Sequence, residues 1–389
     1  MAKKIQSQNC PPCKKTSIGG QALMEGIMMR GPEKTSMAVR NAKGEIILET
    51  EKTIPMTAKV YKIPFVRGIF NMAASLVQGY KCLMRSADIA LADAEEEDKA
   101  RRAEKEAKKA AKKKAATTAY ELPITDESEV PSVSEETPTV TEDTPVVSEE
   151  TPTADETASA TAEAPAKEEK KSDITTTVVM ILGVVLGVAL AIGLFIALPT
   201  FLYSLLAEYT PIGNIENPYY KSLLKTSFEG LFKIILLVLY MLAVSRLKDI
   251  RRVFMYHGAE HKTIFCYEAG LPLTVDNVRI QSRFHPRCGT SFLILVLLVS
   301  MVLGFFIPNS FVAWQRVLIK IALLPVTIGF GYELIKLAGR TDNLFTRITS
   351  APGVWLQHIT TVEPDDSMIE CAIAAMNEVI PEDKNADNW

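Results

Sequence analysis

Four apolar segments, separated by polar loops, constrain the fold of this chain more than any other feature. They cover about residues 174–198, 228–244, 291–307 and 317–338. The first has ~25 residues, which at ~1.5 Å per residue reach ~37 Å, enough to cross a bilayer with some tilt. The second and third are shorter, but their alternation with polar loops favours spanning. The sequence therefore predicts a mainly α-helical, polytopic membrane protein with about four transmembrane helices.

Lysine and arginine are distributed unevenly between the loops. They are abundant in the connection between the second and third segments, before the first segment and after the fourth. Because cytoplasmic loops carry such an excess, we expect a plasma-membrane protein with both termini in the cytoplasm. The lipid bilayer is the expected partner, and membrane proteins are candidate further partners. A net charge of −3 gives no global basic field for nucleic acid.

Two regions precede the first helical pattern. Residues 1–16 form a polar tail, and the CxxC pair of Cys10 and Cys13 in it supplies half of a tetrahedral zinc site. Residues 17–62 are glycine-rich and contain two strand-like runs around Asn41–Gly44, which is typical of a β-hairpin turn. We expect a small N-terminal β-hairpin module on the cytoplasmic side, with the earlier glycines in tight turns or packed under the hairpin.

An amphipathic helix and a linker lead from this module to the membrane segments. Residues 63–92 place apolar side chains at helical spacing with basic residues among them, which favours a helix lying on the membrane or on the helix bundle. Residues 93–172 start with a charged stretch suited to a solvated helix and continue with Thr-Pro repeats. Such a composition cannot bury a core, so we predict a disordered linker.

The remaining chain divides into a membrane domain and a tail. Residues 173–338 are the predicted four-helix membrane domain, with a cytoplasmic loop at 249–289. Residues 339–389 are a predicted cytoplasmic tail with an amphipathic helix after Pro364.

Three of the four histidines lie in the predicted cytoplasmic loop. His257, Glu260 and His261 form an H-x-x-E-H pattern, the residue order of inverted zinc peptidases. On a helix, His257 and His261 would be neighbours, with ~5–6 Å between their Cβ atoms. Imidazole, thiolate and carboxylate are the groups that bind zinc. We therefore predict a divalent metal, with Zn²⁺ favoured, and Glu260 as general base or additional ligand.

His285 and Cys288 lie at i and i+3 just before the third apolar segment. If both join His257 and His261, four ligands close a structural zinc site, whereas three ligands leave an open position for catalysis. Two metal-free interpretations also stand. One is a proton-transfer site, including Cys288 as a nucleophile activated by histidine. The other is a hydrogen-bonded structural cluster.

Glu333 lies inside the fourth apolar segment. A carboxylate there is costly and usually faces protein or water, so Glu333 is a candidate catalytic residue, as ligand or proton acceptor. The alternative is a local ion pair with Lys336. A third possibility is a small transporter that uses these two charges on a helix interrupted by Pro325.

Several segments together resemble the YqhQ-like family of bacterial multi-pass membrane proteins. The resemblance covers about 17–92 and 175–380, and is carried by GGQALMEGIMMRGP, IPFVRGIF, HGAEHKTIFCYE, FHPRCGTSF and APGVWLQHITTVEP. It implies a metal-dependent enzyme in the bacterial plasma membrane. It also implies that Gln21 and Glu25 reach the cytoplasmic site. The residues that match the family motifs are Glu25, Arg30, Arg67, His257, Glu260, His261, His285, Cys288 and Glu333.

Besides the transporter, these observations lead to two functional hypotheses. The first is metal-dependent hydrolysis at the cytoplasmic membrane face, on a lipid-linked or membrane-protein substrate. The alternative is a non-enzymatic membrane scaffold or membrane-protein assembly factor with a structural metal site.

Overall fold

The computed structural model describes residues 14–54, 63–118, 174–308, 311–341, 343–383 and 386–388. The chain divides into two compact units, Met1–Arg101 with Gly187–Trp389, and Arg102–Leu186. It is mainly helical and has a small antiparallel sheet near its N-terminus. Cys10, Cys13 and the predicted Thr-Pro-rich part of the linker lie outside the described residues.

The N-terminal module is a four-stranded antiparallel meander, larger than the predicted hairpin. The predicted hairpin is its second half, with Gly44 at a φ of +85° in the turn. The glycine-rich segment forms two further strands, because Gly26 allows a close strand contact: a Cβ there would lie 2.4 Å from the Ala38 carbonyl oxygen. The strands are β1 (Gly19–Leu23), β2 (Gly26–Arg30), β3 (Lys34–Arg40) and β4 (Ile46–Lys52).

A long helix, α1 (Val66–Thr118), follows the sheet. It begins close to the predicted start and continues unbroken through the charged stretch that follows residue 92. Alanine, glutamate and lysine dominate that stretch, and all three are strong helix formers. On the sheet side, Ile89 packs with Leu23 and Met28, so the first part of α1 covers one face of the module.

Within the ranges that the structure describes, two helices are long and apolar enough to cross a membrane, namely Val185–Tyr209 and Pro218–Val244. The first covers the end of α2 (Ile174–Ile192), a π-helical stretch and α3 (Leu198–Tyr209), and the second is α4.

A third span is formed if α8 (Ala313–Ala322) and α9 (Leu324–Arg340), which meet at a 44° bend, cross together. Pro325 in the first turn of α9 accounts for the break between them, because proline has no backbone N–H to donate and its ring clashes with the carbonyl of the preceding turn. The predicted third span, α7 (Gly289–Gly304), has 16 residues, which reach only ~24 Å. Two or three segments, and not all four, therefore meet the length for spanning.

Three helices and a short helical turn complete the chain. The C-terminal helix packs on the sheet and on α5, and its Asp365 cap accepts the Met368 N–H at 2.9 Å, so the tail helix predicted after Pro364 is present. The elements are α5 (Lys248–Glu268), α6 (Val275–Arg279), α10 (Leu344–Thr360) and α11 (Asp366–Val379).

Two glycines bring the helices of the candidate site together. A Cβ on Gly258 of α5 would lie 2.1 Å from the Val362 carbonyl oxygen, so α5 lies directly against the chain after α10. A Cβ on Gly353 of α10 would lie 2.5 Å from Ser291 on α7. These close approaches position α5, α7 and α10 around one point.

Candidate metal centre

Helix α5 places the H-x-x-E-H residues on one face. The rings of His257 and His261 have centroids 4.4 Å apart. His257 is partly buried, whereas His261 and Glu260 are buried. The helical spacing that the sequence predicts is therefore present.

Cys288 joins these residues from another element. It caps the N-terminus of α7, where its Sγ accepts the Thr290 N–H at 3.4 Å. The distance between Cys288 Sγ and His257 Nε2 is 3.1 Å. The donor atoms of His257, His261 and Cys288 all lie within 4.8 Å of one another, close enough for one ion to contact all three.

Main-chain carbonyls fix both imidazoles. Nδ1 of His257 donates to the Thr360 carbonyl at 2.8 Å, and Nδ1 of His261 donates to the Arg283 carbonyl at 2.6 Å. When either ring is neutral, this tautomer has its lone pair on Nε2. Nε2 of His261 is buried and has no hydrogen-bond partner among the described residues. A buried unsatisfied nitrogen costs ~1–3 kcal/mol, and a carbonyl on the other ring nitrogen is the usual outer support of a metal-binding histidine.

The electrostatics favour a thiolate at this point. Burial opposes the charged form of Cys288, but His257 and His261 outweigh it and hold the pKa of the thiol well below its usual range. Burial likewise opposes protonation of His257, yet the adjacent Cys288 raises the pKa of His257 to about 9. Two imidazoles and a thiolate match the ligand preference of zinc, so the residues fit the metal that the family resemblance implies.

Glu260 lies beside this group and is held by Gly20, which is not among the predicted site residues. Burial raises the pKa of Glu260, and His257, His261 and a hydrogen bond from the Gly20 N–H partly offset that rise. A Cβ on Gly20 would lie 3.0 Å from Glu260 Cδ and 2.7 Å from the Met28 carbonyl oxygen. Glycine is therefore needed at this position for the strand to approach the carboxylate. In the sequence, this close approach was indicated by the high density of glycine in the segment that contains Gly20.

His285 lies next to the three-residue group but outside it. Its ring centroid is 5.4 Å from that of His261. Arg287 donates a hydrogen bond to His285 Nε2 at 3.2 Å and also pairs with Glu268. Burial, with the nearby cationic groups, holds the pKa of His285 well below its usual range. Three of the four predicted ligands therefore come together. The lone pair of the fourth, His285, faces Arg287.

Gln357 of α10 is a second residue that sequence reasoning missed. Its Oε1 accepts the His285 N–H at 2.7 Å, and its Nε2 donates to the His285 carbonyl at 2.7 Å and to Ser291 Oγ at 3.0 Å. One side chain therefore ties the 285–288 segment to α7 and α10. It lies within the family segment APGVWLQHITTVEP, but that segment does not indicate its role, because its partners are distant in the chain.

Glu333 and Glu25 are held by other groups. Glu333 accepts two hydrogen bonds from Arg67, one of them at 2.7 Å, and one from the Phe65 N–H at 3.1 Å. Glu25 accepts two from Arg252 at 2.5 Å each. The family motifs contain Glu25, Arg67 and Glu333, so part of that pattern describes two ion pairs: Glu25 with Arg252 joins the N-terminal module to α5, and Arg67 with Glu333 joins α1 to α9.

Gln21, which the resemblance brings to the site, and the fourth histidine both lie in other surroundings. The amide of Gln21 packs against α1, where a Cβ on Gly79 would lie 2.1 Å from Gln21 Oε1. The fourth histidine, His358, is exposed, and its Nδ1 bonds to the Trp355 carbonyl at 2.9 Å.

Comparison with known proteins identifies the family. A family model described as "Protein of unknown function (DUF1385)" matches residues 147–382. The chain belongs to this family. It is also 43% identical over 155 residues to "Uncharacterized protein YqhQ" of Bacillus subtilis (strain 168). That match covers 40% of this chain and 48% of the relative, so the chain matches about half the length of that protein. No solved structure matches.

The comparisons confirm the YqhQ-like resemblance. The membrane location and the metal-dependent activity that the resemblance implies are not part of those matches and stay predictions.

Proposed function

We propose that this protein is an integral membrane enzyme that holds a divalent metal, with Zn²⁺ favoured, through His257, His261 and Cys288. The observation that carries the proposal is the buried His261 Nε2, which has no partner among the described residues. It belongs to a group whose donor atoms lie within 4.8 Å of one another. A metal ion would satisfy this nitrogen and would bind the thiolate beside it.

Three protein ligands favour catalysis over a purely structural role, because tetrahedral zinc then keeps one open position. When bound there, zinc supplies Lewis acidity and lowers the pKa of water to near 7. The Thr360 and Arg283 carbonyls orient the two imidazoles. The Cys288 thiolate neutralises part of the metal charge.

Glu260 is the proposed general base. Its buried carboxylate lies beside the metal ligands, and burial raises its pKa, which brings a carboxylate closer to the range suited to accepting and returning a proton near neutral pH. Gly20 holds it in position through its N–H. The proposed reaction class is hydrolysis.

The proposed location is the cytoplasmic face of the plasma membrane, with both termini in the cytoplasm. Support comes from the apolar helices Val185–Tyr209 and Pro218–Val244 and from the basic residues of the connection after α4. Cys288 directly precedes the apolar helix α7, so the centre would lie close to the bilayer. We therefore propose a lipid-linked or membrane-protein substrate.

Metal analysis of the purified protein tests the proposal. We expect stoichiometric metal in the unaltered protein and loss of it in His261→Ala, which removes a ligand. His358→Ala is the matched control, because it removes an exposed histidine outside the centre. An unaltered protein that is folded and free of metal would contradict the proposal.

A non-enzymatic scaffold with a structural metal is the second candidate. It is favoured by the position of the centre at the junction of α5, α7 and α10, which a bound ion would brace. Glu260→Gln separates the two functions. If the protein is an enzyme, the Glu260→Gln variant should keep the metal and the melting temperature of the unaltered protein. It should lose the chelator-sensitive hydrolysis that the unaltered protein shows in a panel of lipid-linked phosphoesters and membrane-protein peptides. If the unaltered protein hydrolyses nothing while ligand substitutions unfold it, the scaffold is favoured.

A further inference from the structure

A cleft of about 470 Å³ lies between the sheet, α1 and α9, within the first compact unit. This volume is in the range of small-molecule sites. Gly19, Gly20 and Arg30 of the sheet form one side, and Ser75 of α1 and Lys336 of α9 lie on the others. Among the residues that line it, two are cations and none is aspartate or glutamate.

Arg30 is the unusual member of this lining. In the described part of the chain, Arg40, Arg67, Arg85, Arg252, Arg279 and Arg287 each pair with a carboxylate. Arg30 is only partly exposed, and its hydrogen bond goes to a neutral group, Ser75 Oγ, at 2.6 Å. Burial lowers the pKa of Arg30, and Tyr332 offsets part of that effect. A half-buried charge without a counter-ion favours an anion in the adjacent space.

The neutral groups around Arg30 are suited to an oxyanion. Nδ2 of Asn71 donates to the Tyr332 hydroxyl oxygen at 3.1 Å, which leaves the hydroxyl proton available to a ligand. The guanidinium keeps four N–H donors besides the one given to Ser75. Its planar fork matches the geometry of phosphate oxygens.

We propose that this cleft binds the phosphate group of a ligand between the Arg30 guanidinium and the Lys336 ammonium. Tyr332 and Lys336 belong to α9, which is part of a candidate span. A phosphate in the cleft therefore lies beside the apolar part of the molecule, where a lipid headgroup can reach it.

The cleft also adjoins the candidate metal centre. Gly20 lines the cleft, and its N–H holds Glu260. A ligand whose phosphate occupies the cleft would thus lie one strand away from the proposed general base. That this ligand is the substrate, either a phosphate-bearing lipid or a soluble phosphoester, rests on the proposed function. The anion site itself does not depend on the metal.

Calorimetric titration of the detergent-solubilised full chain, at constant ionic strength, tests the site. The probes are inorganic phosphate, dihexanoyl phosphatidylglycerol and, as a zwitterionic comparison, dihexanoyl phosphatidylcholine. We expect saturable binding of at least one of the first two and at least about tenfold weaker binding in Arg30→Gln, because a charge-assisted pair is lost. Binding of phosphatidylglycerol alone assigns a lipid headgroup, and binding of inorganic phosphate alone assigns a soluble ester.

Three further variants show whether the binding depends on the cleft itself. Arg85→Gln makes the same charge change at an exposed arginine of α1 that pairs with Glu49, and it should bind as the unaltered protein does. Lys336→Gln should also weaken binding, from a different element. His261→Ala should leave binding intact, so that a failure of the metal proposal and a failure of the cleft proposal are seen separately.

The proposal is overturned by either of two results. One is the absence of saturable binding of both anionic probes to the unaltered protein. The other is equal affinity in the unaltered protein and in a folded Arg30→Gln, with folding established by an unchanged melting temperature.

Discussion

At the scale of single residues, the pair of His257 and Cys288 determines the protonation state of the candidate centre. Their contact atoms are 3.1 Å apart, and each stabilises the charged form of the other. The thiolate is therefore ready to bind a cation, whereas the imidazole carries a proton that a metal must displace.

This arrangement predicts a specific pH dependence of zinc affinity. Because the pKa of His257 is raised to about 9, the ring is protonated below that value and neutral above it. We expect the affinity to rise by up to about tenfold per pH unit from about pH 7 and to level off above about pH 9, since binding releases the proton. Competition with a chelator of known affinity measures this. An affinity that is constant over that range would rule out a protonated His257 in the metal-free protein.

The residues of the centre differ in how far the sequence could predict them. His257, Glu260 and His261 are four residues apart at most, so a single helix determines their arrangement. For His285 and Cys288 the sequence left two arrangements open, because the choice depends on Arg287 and Glu268, which engage His285. The carbonyls of Thr360 and Arg283 that orient the rings have no sequence signal, since every residue carries one.

At the scale of elements, close helix contacts bring the ligands together. Gly258 lies next to His257 and allows α5 to touch Val362, two residues after the end of α10. The last residue of α10, Thr360, supplies the carbonyl to the His257 ring. The position of the His257 ring is thus linked to a backbone contact at a residue that has no side chain.

Gly258→Ala tests this link. The added methyl group would lie 2.1 Å from the Val362 carbonyl oxygen, so α5 must shift, and we expect a loss of ~1–3 kcal/mol of stability together with reduced metal retention. Gly289→Ala is the matched control, since nothing lies within 4 Å of its new Cβ. Melting temperature and metal content are the measurements. Equal values for the two variants would contradict a tight contact at Gly258.

The elements also differ in how well sequence patterns predict them. Helical periodicity predicted the start of α1 and the tail helix. The tail helix buries its predicted apolar face, whereas Leu76 and Tyr80 of α1 are exposed. The strands β1 and β2 were missed because glycine is disfavoured in strands, and here Gly26 allows close contact between β2 and β3. The shortness of α7 was visible in the sequence, but alternation with polar loops outweighed it.

At the scale of the whole molecule, the proposed topology puts the connection between α3 and α4 outside the cell and the C-terminal tail inside. Both regions offer exposed glutamates, Glu216 and Glu382. A cysteine at either position should leave the core intact, because neither side chain is buried.

Labelling of intact cells with a membrane-impermeant maleimide tests this topology. We expect Glu216→Cys to be labelled from outside and Glu382→Cys to be labelled only after lysis, each compared with the unaltered protein as background. Labelling of Glu382→Cys in intact cells would contradict cytoplasmic termini.

The most direct test of the central claim is X-ray absorption at the zinc edge of the purified, zinc-loaded protein. Coordination by His257, His261 and Cys288 predicts two nitrogen atoms at ~2.0 Å and one sulfur atom at ~2.3 Å, with a further light atom in the open position. In Cys288→Ser the sulfur shell should disappear. A spectrum of the unaltered protein without sulfur, or with several sulfur atoms, would show that the metal is bound elsewhere and would contradict the account.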